Sequence, residues 1–147
     1  MIFDLTTLFS NSQAITADAP STDIIDLGVM GRAYGHAAVL PRDFARSADV
    51  PIHIQVTEAF NNLTSLRIVV QTSDVENFGS GVKDVIEQVI PLARLTAGAT
   101  AAIMHVPAGV TGRYMRLLYD ITGTAPTTGR VTAGLILGGS QTNGQAF

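Results

Sequence analysis

Residues 112–137, GRYMRLLYDITGTAPTTGRVTAGLIL, place two alternating runs on either side of a loop rich in Gly, Pro and Thr. In the first run Met115, Leu117, Tyr119 and Ile121 share one face, and Tyr114, Arg116, Leu118 and Asp120 share the other. In the second, Val131, Ala133, Leu135 and Leu137 fall on one face. Period-two patterning on both sides of a turn-rich loop predicts paired β-strands with one buried face. The polar positions read as strand surface and not as a reaction centre.

The rest of the chain repeats the signal. Residues 51–57 alternate, with Ile52, Ile54 and Val56 expected inward and His53, Gln55 and Thr57 outward. Residues 64–72 put Leu66, Ile68 and Val70 inward, and residues 22–28 and 100–106 make two more short strands. Residues 82–90, VKDVIEQVI, fit a helix template as well as a strand. The β-branched content and the closing Pro91 decide for strand. Seven or eight strands and no long helix predict an all-β, antiparallel two-sheet β-sandwich, of jelly-roll or immunoglobulin-like type. A chain of 147 residues suits a single domain, 1–147.

The ends are less regular. Residues 1–21 read as an extended N-terminal arm whose Ile2, Phe3, Leu5, Leu8 and Phe9 need a surface to lie on. The alternative is a terminal strand packed on its own domain. The opening lacks the basic start and long apolar core of a signal peptide. Residues 29–49 read as a loop that is functional or lies on a partner. Residues 138–147 read as a flexible or partner-bound tail.

Composition narrows the function classes. Charged residues are only 14 % of the chain against 46 % hydrophobic, an apolar balance that fits either a surface partly covered by a partner or a compact β-protein with Thr, Ser, Gln and Asn outside. The net charge is −3 and no basic run exists, so a nucleic-acid groove is not expected. Nothing approaches the ~18 apolar residues of a membrane-spanning helix. No Cys is present, which removes disulfides, thiolate metal sites and Cys catalysis.

No constellation reads as catalytic. His36, His53 and His105 show no metal-ligand spacing, and GVMGRAYG lacks the Lys and following helix of a phosphate cradle. No Ser sits in the GxSxG turn of a hydrolase. Asp74, Glu76 and Asn77 lack the spacing of a calcium loop. We therefore expect no enzyme, no metal and no cofactor. Tyr34, Phe44, Phe60 and Phe78 fall in loops, where aromatics anchor a domain edge or a partner. Arg113, Arg116 and Asp120 suggest a cross-strand ion network.

Several segments together resemble a known family. MIFDLTTLFSNSQAIT, the DLG at 26–28, QVTEAFNNLTSL at 55–66 and VPAGVTGRYMRLLYDITGTAPTTGRVTAGL at 106–135 are similar to the small jelly-roll cement, or decoration, proteins of short-tailed bacteriophages. The resemblance implies a jelly roll on the exterior of an icosahedral head, assembled in the host cytoplasm. It implies the phage major capsid protein as partner and a small homo-oligomer as docking unit, for which we expect a dimer rather than a trimer. It carries no catalytic or ligand residues. Our own expectation for the capsid or subunit interface is Ile2, Phe3, Leu5, Leu8, Phe9, Arg32, Tyr34, Arg42, Phe44, Arg113, Arg116 and Arg130. The rival expectation is a non-catalytic β-sandwich binding module, carbohydrate-binding or tail-associated.

Overall fold

The computed structural model describes residues 3–46 and 49–136. Nine strands are present among them: β1 (Leu8–Ala14), β2 (Ala19–Pro20), β3 (Ile25–Asp26), β4 (Pro51–Glu58), β5 (Leu63–Ser73), β6 (Lys83–Pro91), β7 (Thr100–His105), β8 (Tyr114–Gly123) and β9 (Arg130–Leu135). They form two sheets, one ordered β1-β9-β4-β7 and one ordered β2-β8-β5-β6, with β3 also on β8. All pairings are antiparallel.

β2 and β3 are two short pieces of one strand position, since both pair with β8. Counted so, the first position pairs with the last, the second with the seventh, the third with the sixth and the fourth with the fifth. That is a long antiparallel ribbon rolled into a sandwich, the jelly-roll topology.

The core lies between the sheets. Ile52, Ile54 and Val56 of β4, Leu66, Ile68 and Val70 of β5, and Met115, Leu117 and Tyr119 of β8 are all buried there, as their alternation predicts. A buried polar bond crosses it. The buried Tyr119 hydroxyl of β8 lies 2.8 Å from Ser10 Oγ of β1, joining the two sheets.

The two runs of residues 112–137 are not partners. β8 pairs with β5, β2 and β3, whereas β9 pairs with β1 and β4 in the opposite sheet. Alternation reports that each run buries one face; it does not say which neighbour completes the ladder. Residues 124–129 carry the chain across the sandwich, a step of about 10 Å. Asn61 holds this crossing: its Oδ1 accepts from Thr127 N (2.8 Å), and its Nδ2 donates to Thr127 Oγ1 (2.7 Å). Gly129 has φ +136°, and a Cβ there would stand 2.3 Å from the buried Phe60 ring. Only glycine fits that turn.

The helix-like spacing of 82–90 has a physical origin. Val70 pairs with Ile86, but Gln71 pairs with Asp84, so a bulge at Val85 shifts the phase of β6. The helical spacing itself comes from Val82 and Val89, both exposed, each three residues from the half-buried pair Val85 and Ile86.

The N-terminal arm expected over residues 1–21 is corrected. Residues 8–14 are β1, an edge strand laddered to β9, and Leu8, Phe9 and Ile15 are buried in the domain itself. A strand with two register shifts and the positive-φ residue Ser12 does not alternate, so its sequence resembles an arm. His53, expected outward, is 2 % exposed, because residues 3–7 fold over the outer face of its sheet. The strand expected over 22–28 shrinks to Ile25–Asp26. The expected tail 138–147, together with Ile2 and Leu137, lies outside the described residues.

Candidate interaction surface

Every residue from 29 to 40 is exposed. The segment is nonetheless shaped. Arg32 and Val39 form an antiparallel bridge, Leu40 N–H donates to Gly31 O (2.8 Å), and His36 N–H donates to Ala33 O (3.0 Å) across a turn containing Gly35 at φ +74°. This is a short hairpin finger with Tyr34 at its tip. Of the eleven large apolar side chains exposed among the described residues, five belong to it: Val29, Met30, Tyr34, Val39 and Leu40. Apolar surface gathered on one element is the kind of patch that an interaction site presents.

Both ends of the finger are tied to the roll. On the entering side, Leu27 N–H donates to Arg113 O (2.9 Å), and Asp26 accepts from Gly28 N (2.8 Å). The Arg113 guanidinium grips the same carboxylate through two bonds, 2.8 and 2.7 Å. On the leaving side, Arg42 donates to the Gly28 carbonyl, closing the base. Phe44 N–H donates to Val110 O (2.9 Å) and its side chain packs on the core, while Asp43 accepts from Gly109 N (2.6 Å). The finger itself carries Arg32 and no acid.

Arg113 and the Gly28 amide hold the Asp26 carboxyl at about 2, well below the usual carboxylate range. A depressed acid contributes stability above its unfolded value near 3.8 and loses it as pH falls toward about 2. Wild-type protein is therefore expected to lose thermal stability between pH 4 and pH 2 more steeply than Asp26→Asn. Parallel melting curves of the two proteins across that range would contradict the assignment.

The expected interface residues separate into groups. Arg32 and Tyr34 are exposed on the finger, whereas Arg42 and Phe44 build its base. Leu8 and Phe9 are withdrawn as contact residues, because both are buried core. Phe3 is half-buried against His53, and Leu5 is 80 % exposed. Arg113 is committed to Asp26 and Arg130 to Glu58 (3.0 Å), with a further bond to Ser12 O. Arg116 lies over the Phe78 ring at 4.1 Å and donates to Gln71 Oε1 (3.0 Å).

The network expected among Arg113, Arg116 and Asp120 is not formed. Asp120 instead takes Arg67, which also binds Glu87. The expectation missed Val29, Met30, Val39 and Leu40. Their signal was present in GVMGRAYGHAAVL: two apolar pairs placed symmetrically about a glycine-bounded turn.

Among the described residues no three His, Asp or Glu side chains group as metal ligands do. His105 Nδ1 pairs with Asp49 at 2.7 Å. The arrangement is thus a jelly-roll domain presenting one anchored apolar finger, chemically suited to recognition by burial. The chain belongs to the Bbp16 family, whose model matches residues 9–135, from β1 to the end of β9. No curated protein matches it.

Proposed function

We propose that this protein is a structural component of a phage head, bound to the outside of the shell and stabilising contacts between major capsid protein subunits. The observation that carries this reading is the finger of residues 29–40, apolar, exposed and fixed at its base. The similarity of the segments at 1–16, 55–66 and 106–135 to phage cement proteins supports it. A small homo-oligomer, a dimer before a trimer, is the proposed docking unit.

A clamp of this kind needs modest contacts repeated by symmetry. Burying a Tyr, Met or Leu side chain contributes about 1.5–3 kcal/mol. Because the finger is already shaped, little of that gain is lost to ordering it. Linked copies then bind with an avidity that no single contact supplies.

The triple variant Met30→Ser, Tyr34→Ser, Leu40→Ser tests the reading. These positions are exposed, so its melting temperature is expected to stay within a few degrees of wild type. Its affinity for heads lacking the protein, measured by co-sedimentation, is expected to fall at least tenfold. Unchanged occupancy on such heads would overturn the role of the finger, and glycan binding by the isolated domain would favour the rival binding module.

A further inference from the structure

Residues 3–7 lie on the outer face of the β1-β9-β4-β7 sheet, and what they cover is a histidine. His53 of β4 sits beside Gly134 of β9 in the ladder. The Phe3 ring stands edge-on to the imidazole, centroids 6.1 Å apart at 62°. Phe3 also fills the place where Gly134 has no side chain: a Cβ there would lie 3.0 Å from Phe3 Cδ1, 3.0 Å from Thr7 O and 3.1 Å from Leu8 Cδ2. Glycine at 134 and the aromatic ring at 3 are complementary parts of one contact.

Under this cover His53 Nε2 is 3.3 Å from Thr100 Oγ1, while Nδ1 is buried with no hydrogen-bond partner among the described residues. A neutral imidazole tolerates this arrangement. A protonated one does not, because both nitrogens then donate and the charge is cut off from water. The cheapest relief is to uncover the ring.

The covering segment is weakly tied. Asp4 caps its own turn, accepting from Thr6 N (2.8 Å) and Thr6 Oγ1 (2.7 Å), and the Thr7 amide bonds Asp4 O. The side-chain bond from residues 3–7 to the sheet is Thr7 Oγ1 to Leu135 O, at 3.4 Å. Among the described residues its other hold is the Phe3 contact, so it can lift without breaking a ladder.

We infer that residues 3–7 form an acid-released latch: a proton taken up from solvent by the His53 imidazole drives Phe3 off the four-stranded sheet and frees residues 3–7. The inference does not depend on the capsid reading.

The sign follows from the burial. Burial holds the His53 imidazole below its ordinary 6.5. With the latch open the ring regains its ordinary value. The closed state therefore binds fewer protons, and the open fraction rises about tenfold per pH unit below ~6.5 until the closed form itself titrates.

Other charged groups on the surrounding elements have partners of their own. Asp4 is bound within its turn, Glu58 of β4 to Arg130 of β9, and His105 of β7 to Asp49. Arg94 reaches the Ala101 carbonyl of β7.

The chain contains no Trp, so Phe3→Trp introduces a single fluorophore at the latch. Its emission is expected to shift to the red as pH falls from 8 to 5, and to lose that dependence when His53→Gln is added. Emission that is flat over this range, or that shifts equally in the double variant, would overturn the latch. Proton NMR of His53 gives a test without the larger ring. In wild type its titration is expected below 6.5, moving up toward 6.5 in Phe3→Ala. Identical titration in the two proteins would also overturn it.

Discussion

Leu117→Asp is expected to abolish the folded state. Leu117 is fully buried in the middle of β8, opposite Val70 of β5. Losing a buried leucine side chain costs about 2–5 kcal/mol through lost packing alone. A carboxyl left there without a partner adds several kcal/mol more, whether it stays charged or takes a proton. The sum is comparable to the about 5–15 kcal/mol that holds a typical domain together. The variant is expected in the insoluble fraction, or as a soluble chain without a cooperative melting transition. A soluble protein melting within a few degrees of wild type would refute the core assignment of β8.

Deleting residues 3–10 is expected to have an effect of the same order. The deletion removes Leu8, Phe9 and Ser10, more than a third of β1, and with them the partner of the buried Tyr119 hydroxyl. Phe9 is fully buried, and removing such a ring costs about 3–5 kcal/mol. The deletion would also leave β9 without its outer partner at Ala133 and Gly134. Were the segment an arm lying on a partner, the shortened protein would melt normally and lose only capsid binding. A large fall in melting temperature is expected instead, and a normal melt would restore the arm.

Much of this fold is legible in the residues. The alternation of β4, β5 and β8 names the inward side chains correctly, because in an antiparallel sandwich the core-facing position recurs every second residue. Pairing is less legible, since β8 and β9 bury faces against the same core from opposite sheets and nothing in their pattern separates that from a hairpin. β1 escapes because its register shifts break the period, and β6 blurs because the exposed Val82 and Val89 fall at helical spacing from Val85 and Ile86. β2 and β3 are two residues each, too short to carry a period.

The surface is legible only in part. Arg32 and Tyr34 stand out as residue types, but the finger depends on the Gly31–Leu40 bond and the Arg32–Val39 bridge. Its rigidity depends on Asp26, Arg113 and Phe44, which come from distant parts of the chain. His53 follows the alternation and so reads as exposed; it is buried because residues fifty positions away fold over it. Local pattern records the ladder a residue belongs to and is silent about what later covers it.

The most direct measurement is an electron cryo-microscopy reconstruction of heads that carry the protein. The account predicts jelly-roll density repeated across the outer surface, with residues 29–40 buried against the major capsid protein and Tyr34 in contact with it. Heads that show no such density, or copies bound with the finger pointing into solvent, would contradict it.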